Sequence, residues 1–148
     1  MEFKELIDSF AKRHGVADLA PEDDGVSLDI DGILVAVVSV GGEVVLSAEI
    51  GGPPIEGRAE FADAMLEASM ESAAFFAKNA QSGQYVLLRR LSLLALDDAA
   101  FDNAIESLVN TAEMWHKILA DFRPAAGAAA ENAETESPSF GAAGFMQV

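Results

Sequence analysis

Three consecutive strand patterns joined by tight turns constrain the fold most strongly. Residues 26–30 alternate apolar and polar side chains, which is typical of a strand with one solvent-exposed face. Asp31 and Gly32 follow as a two-residue hairpin turn, because both residue types tolerate a positive φ. Two further strands, at 33–40 and 44–50, complete a predicted antiparallel meander.

The second of these strands is apolar along almost its whole length. Residues 33–40 contain Ser39 as their one polar residue, so both faces of the strand are expected to be covered. One face would pack on the core. The other would meet a helix, a second subunit or a ligand, and the residues leave these three alternatives open.

Helical patterns precede and follow the meander. Residues 2–14 carry apolar side chains at helical spacing, and Gly15 suits a left-handed residue after the helix. The Gly-Gly-Pro-Pro segment at 51–54 ends the third strand. A second helix is predicted to begin near Arg58, and the third spans residues 98–122, with its apolar residues three and four apart.

The segment between the second and third helices has two interpretations. Residues 73–77 could continue the helix or begin a strand that turns near Gly83, and we favour the strand. Residues 85–94 are rich in strand formers, with Arg89 and Arg90 in the middle, which suits an exposed or edge segment. The predicted fold is therefore α+β, a five-stranded antiparallel sheet with three helices in the order α-β-β-β-α-β-β-α.

The C-terminal composition differs from that of the rest of the chain. Residues 124–148 are mainly Ala, Gly, Ser and Glu without apolar periodicity, which predicts a flexible tail. Residues 1–123 are predicted to form one domain, a size that can bury a sizeable core without cross-links. The chain has 0 Cys, so it has no disulfides and no thiolate metal site.

The charge balance excludes several classes of partner. The chain carries 25 Asp and Glu against 9 Lys and Arg, a formal net charge of -16. Nucleic acids and anionic membranes attract clustered cations, so neither is an expected partner. The apolar stretches are too short to span a bilayer, and the protein is predicted to be soluble and cytoplasmic.

The sequence contains no recognisable catalytic or metal-binding motif. No Gly-x-Ser-x-Gly, Ser-x-x-Lys or phosphate-loop pattern occurs, and His14 and His116 have no partner at metal-ligand spacing. The acidic turns at 22–25 and 29–32 do not match the twelve-residue calcium loop. We therefore expect no cofactor, no metal and no enzymatic activity.

The predicted elements resemble those of a known family. The Asp-Gly hairpin, the Gly-Gly-Pro-Pro break and the Ala112-x-x-Trp115-x-x-x-Leu119 pattern of the last helix resemble the class I chaperones of bacterial type III secretion, the Tir-chaperone-like family. The resemblance implies a homodimer that binds an extended N-terminal segment of a secreted effector. It further implies that the chaperone keeps this effector secretion-competent and consumes no nucleotide.

The resemblance also assigns sites by position. The second helix and the strand after it would form the dimer interface, with the candidates Met65, Ser69, Met70, Phe75 and Phe76. The first helix and the outer face of the first three strands would bind the effector, with the apolar candidates Leu6, Val26, Leu28, Val35, Val37 and Leu46. The alternative is a non-secretory adaptor or regulatory binding module of the same fold.

Overall fold

The predicted order of helices and strands is confirmed by the computed structural model, which describes residues 2–16, 19 and 25–124. The helices are α1 (Phe3–His14), α2 (Arg58–Ser69) and α3 (Asp98–Asp121). The strands are β1 (Gly25–Ile30), β2 (Ile33–Val40), β3 (Glu43–Gly51), β4 (Phe75–Lys78) and β5 (Tyr85–Ser92). The predicted tail beyond Pro124 lies outside the described residues.

The five strands form one antiparallel sheet in the order β1-β2-β3-β5-β4. β1 and β4 are the two edge strands, and β5 lies between β3 and β4. β4 has four residues and pairs with Tyr85–Leu88, so residues 89–92 of β5 pair with β3 alone. The edge predicted for β5 therefore exists only along its second half, because β4 is too short to cover it.

Local sequence signals fix the ends of several elements as predicted. Asp31 and Gly32 have φ values of 54° and 84°, so both residues of the first hairpin turn are left-handed. Gly15 caps α1 with a φ of 66°. The Asp97 side chain accepts a hydrogen bond from the Ala100 N–H at 2.8 Å, which satisfies one free donor at the start of α3.

The core lies between one face of the sheet and the helices. Side chains from alternate positions of β2 and β3 are buried there against α1 and α3, and α3 supplies buried residues from Phe101 to Trp115. The Phe61 ring of α2 lies 5.9 Å from Tyr85, 5.8 Å from Trp115 and 5.1 Å from Phe122, as measured between ring centroids. This aromatic cluster attaches α2 to the end of α3.

Candidate protein-binding surfaces

The first candidate surface is a groove between α1, the edge strand β1 and α3. It has a volume of about 820 Å³. Apolar side chains from all three elements form much of its lining, namely Phe10, Val16, Leu28, Ile30, Ile105 and Val109. An extended peptide could bury apolar side chains here, since grooves of this size and lining are typical of ligand sites.

β1 gives this groove a free row of backbone groups. Within the described part of the chain, β1 pairs with β2 on one side only, and its register runs from Gly25 opposite Val38 to Ile30 opposite Ile33. Hydrogen-bonded and non-hydrogen-bonded pairs alternate in such a ladder, and the pair closing a two-residue turn is hydrogen-bonded. The N–H and C=O groups of Ser27 and Asp29 therefore point away from β2, toward any strand that lies beside β1.

An ion-pair cluster joins α1 to α3 at one end of the groove. The Arg13 guanidinium lies 2.6 Å from the Asp102 carboxylate and 3.0 Å from Asp98. The Ser9 hydroxyl donates to Asp98 at 2.9 Å and also contacts Arg13. His14 Nε2 lies 3.4 Å from Asp102. The hydrogen bond from Arg13 holds the pKa of Asp102 below its ordinary value, and the same bond raises the pKa of Arg13.

The second candidate surface lies on the other side of the molecule, where α2 meets the edge strand β4. Leu66 and Met70 project from α2 and its C-terminal end, with exposed fractions of 64% and 87%. Phe75 at the start of β4 is 40% exposed. These exposed apolar side chains are here named the α2–β4 patch, a surface that a partner protein could cover.

The predicted dimer residues divide between this patch and the core. Met70 and Phe75 are exposed in the patch, whereas Met65 is buried. The Ser69 hydroxyl donates to the Met65 carbonyl at 3.0 Å and accepts from the Phe76 N–H at 3.3 Å, which connects α2 to β4. The Phe76 ring packs 4.9 Å from Trp115, on the helix-covered face of the sheet. Whether these residues contact a second copy stays a prediction.

The predicted position of the effector residues is wrong for most of the set. Val35, Val37 and Leu46 are fully buried, because the alternation of β2 and β3 turns them toward the helices rather than outward. Leu6 is fully buried on the core-facing side of α1. Val26 packs against the same core. Leu28 is nearly buried but lines the α1–β1–α3 groove. Their role in effector binding stays untested.

The outer face of the sheet instead carries the alternate residues of β2 that point away from the helices. Leu34, Val38 and Val40 are exposed, so the described part of the chain does not cover this face. The helix that was one of the three predicted coverings of β2 does not lie on this face within the described residues.

Sequence reasoning missed several residues of both surfaces. It did not select Phe10, Ile30, Ile105 and Val109 for the groove, or Leu66 for the patch. The signal for Leu66 was its position beside Met65, since one helix face cannot bury both. The groove residues carried no comparable signal, because Phe10, Ile105 and Val109 belong to the buried core, Ile30 packs against it, and all four also line the groove.

Two structural features bear on other classes of site. Among the described residues, every helix is too short or too polar to cross a membrane. Within those same ranges, no three His, Asp or Glu side chains come together as a group that could hold a metal ion.

An apolar groove beside a free strand edge, on a small α+β domain, defines a protein that binds other polypeptides. Within that class, the chain belongs to the Tir chaperone protein (CesT) family, whose pattern matches residues 5–116. This match confirms the resemblance seen in the sequence.

Solved structures with the same fold include several chaperones in complex with partners. The ExsC–ExsE complex matches with a TM-score of 0.70 and 20% identity over 78% of this chain and 92% of that chain. The HopA1–SchA chaperone–effector complex matches with a TM-score of 0.67 and 13% identity, covering 78% and 93% of the two chains.

A third similar structure is the type III secretion chaperone SycH of Yersinia pestis bound to a fragment of YscM2. It has a TM-score of 0.63 and 17% identity, covering 77% of this chain and 99% of that chain. No curated protein matches this chain in sequence.

Proposed function

We propose that this chain is a homodimeric type III secretion chaperone that binds an extended effector segment without using a nucleotide. The observation that carries the proposal is the α1–β1–α3 groove, with its apolar lining and the free edge of β1. Family membership and the fold shared with chaperone–effector complexes support it. The chaperone would act in the cytoplasm, before its client is exported.

The groove suits passive binding of an unfolded segment. A client strand beside β1 would form backbone hydrogen bonds with residues 27 and 29, while its alternate side chains are buried against Leu28 and Ile105. Ordering the client costs conformational entropy, which a long contact can offset. This mechanism requires binding energy alone, so it needs neither a cofactor nor a catalytic step.

The α2–β4 patch supports the homodimer part of the proposal. A side chain as exposed as Met70, next to exposed Leu66 and Phe75, leaves a contiguous apolar area in water. Association through a two-fold axis would bury this area twice, because each copy presents the same patch.

The function can be tested in the native bacterium by deleting the gene and comparing the secreted proteins with those of the parent strain. We expect one or a few secreted proteins to disappear and to return when the gene is supplied in trans. An unchanged set of secreted proteins would exclude the chaperone function. The purified complex of the chain with an affected protein should resist digestion over an N-terminal segment of that protein.

A second candidate function is a regulatory or adaptor module of the same fold that takes no part in secretion. YbjN of E. coli, described as a putative transcription regulator, has the same fold with a TM-score of 0.59 and 12% identity. Under this alternative, deletion would leave secretion intact and alter the abundance of particular transcripts instead.

A further inference from the structure

Resting on the proposed function, we infer that the α1–β1–α3 groove selects client segments in which Lys or Arg alternates with apolar residues. The carriers of this selection are three acidic residues of the groove, Asp29, Asp31 and Glu106. The inference specifies the charge pattern of the client, which groove shape alone does not determine.

The acidic side chains lie on different elements around the apolar lining. Asp29 is on β1, Asp31 is in the turn after it, and Glu106 is on α3 across the groove. All three are exposed, so each can reach a bound segment. A peptide lying beside β1 would therefore have Asp29 beside the side chains that point to the outer face of the sheet, whereas Glu106 lies on the helix side with the apolar lining.

These carboxylates keep their charge available for a ligand. Asp102, the fourth acidic residue of the groove, is paired with Arg13 at 2.6 Å. Within the described residues, none of the other three forms an ion pair. Residues 17–24, which lead from α1 to β1, contain four acidic residues and no Lys or Arg, so they supply no cation either.

Strand geometry determines which positions of a bound client segment lie beside these carboxylates. The side chains of a strand added to β1 would alternate between the apolar lining and the opposite face. Ser27 and Asp29 lie on that opposite face of β1, since their neighbours Leu28 and Ile30 turn toward the helices. A cation beside Asp29 would make a favourable cross-strand pair, and an acidic residue there would be repelled.

The same charges disfavour two other occupants of the groove. Residues 125–148 of this chain contain three Glu and no Lys or Arg, so the chain's own C-terminal segment has the wrong charge. A second copy of the chain has a net charge of -16 and is likewise repelled. The acidic residues of the groove therefore favour a cationic segment of another protein as its occupant.

The test uses the full-length chain and two labelled peptides of about eight residues, enough to span β1. Both peptides alternate the same apolar residues with a charged residue, which is Lys in one and Glu in the other. Fluorescence anisotropy gives the two dissociation constants, and amide chemical shifts of the labelled chain locate the peptide. We expect the Lys peptide to bind at least about tenfold more tightly, since each exposed charge pair contributes a factor of roughly two to five.

Two variants separate recognition by the acidic residues of the groove from general attraction of a cationic peptide to an acidic protein. Asp29→Lys is expected to weaken Lys-peptide binding about fivefold and to strengthen Glu-peptide binding, because Asp29 lies on the face to which the charged side chains of the peptide point. Glu56→Lys makes the same charge change next to Gly57, which lies against Phe122. Phe122 is twelve residues from Asn110, the nearest groove residue on α3, or about 18 Å along the helix. This distance is about twice the length over which salt screens a charge, so Glu56→Lys should change peptide binding by less than about twofold.

The results distinguish this inference from the proposed function. Equal affinity for both peptides, with shifts confined to the groove residues, would overturn the charge selection and leave the groove as the client site. Equal weakening by Asp29→Lys and Glu56→Lys would also overturn it, since the attraction would then be non-specific. Binding of neither peptide would overturn both the selection and the groove assignment, while the secretion comparison would still decide whether the protein is a chaperone. Circular dichroism of each variant confirms that it is folded.

Discussion

Apolar packing holds both α1 and α2, the helices that border the two candidate surfaces, and α1 has ion pairs in addition. α2 is attached through Phe61, whose ring packs against Tyr85, Trp115 and Phe122. α1 also buries an apolar stripe, but its C-terminal end is joined to α3 by the ion pairs of Arg13. Aromatic packing is insensitive to salt and pH, whereas partly exposed ion pairs respond to both. The difference predicts that the C-terminal end of α1 responds to salt and pH, whereas α2 does not.

The strongest test of this comparison removes the aromatic attachment of α2. Phe61→Ala should lower the free energy of unfolding by about 3–5 kcal/mol, the usual cost of deleting a buried phenyl ring. Urea unfolding measures the loss. Leu66→Ala is the matched control on the same helix, and its exposed side chain should cost less than about 0.5 kcal/mol. Similar losses for the two variants would show that the cluster does not fix α2.

The next largest effect concerns the α2–β4 patch as a dimer interface. Phe75→Asp would bury an unpaired charge between copies, at a cost of about 3 kcal/mol, and should raise the dimer dissociation constant at least about 100-fold. Sedimentation velocity measures the association state. Phe76 is unsuitable for this test, because its contact with Trp115 means that a charge there would disturb the fold.

The matched control for this dimer test is Leu34→Asp, which introduces the same charge at a similarly exposed residue on the outer face of the sheet. It should leave the dimer intact. Dissociation by Leu34→Asp but not by Phe75→Asp would move the interface from the α2–β4 patch to the outer face.

Removing the ion pairs of α1 should have a smaller effect. Arg13→Ala leaves Asp98 and Asp102 without their cation and should cost about 1 kcal/mol, because partial exposure screens the pairs. Amide hydrogen exchange should accelerate at the C-terminal end of α1 and remain unchanged in α2. Equal acceleration in both helices would contradict the independence of the two attachments.

The pH dependence of this cluster follows from Asp102. Its pKa is held below the ordinary value of 3.8, so the charged form stabilises the folded state. The contribution is complete above that value and is lost as the pH falls through the lowered pKa. Asp102→Asn should therefore cost about 1 kcal/mol at about pH 7 and at least as much at about pH 5. The difference from the parent should shrink below about pH 3.8, as measured by thermal unfolding, and a difference that shrinks already between pH 7 and pH 5 would contradict this assignment.

The smallest expected effect is that of salt on the proposed dimer. Two copies with a net charge of -16 repel each other, and moderate salt screens that repulsion. Raising the ionic strength from about 0.02 to 0.2 M should tighten the dimer by a few-fold, as measured by sedimentation. Weaker association at higher salt would indicate that ion pairs, rather than the apolar patch, hold the copies together.

The sequence predicted the fold more completely than the surfaces. Alternation in β1, the left-handed Asp31-Gly32 turn and the apolar stripe of α3 are local signals, and each specifies its element directly. The extent of β4 was less certain, because Phe75 and Phe76 suit a helix and a strand equally. Their different environments, one exposed and one against Trp115, depend on the sheet as a whole.

The alternation of apolar residues along a strand was not enough to predict which residues lie on the binding surfaces. The pattern of β2 separates its two faces but does not say which of them the helices cover. Val35 and Val37 face the helices, whereas Leu34 and Val38 face outward. Which face is covered is decided by where α3 crosses the sheet, and this depends on contacts between residues that are far apart in the chain.

The brevity of β4 has a consequence for how the protein behaves at high concentration. Along residues 89–92, β5 exposes backbone groups that another copy could extend into a ribbon of stacked sheets. Arg89 and Arg90 occupy this stretch, and two such stretches brought together would place like charges side by side. Repulsion between these arginines opposes the edge-to-edge stacking of copies along residues 89–92, so fibre growth from this edge is disfavoured.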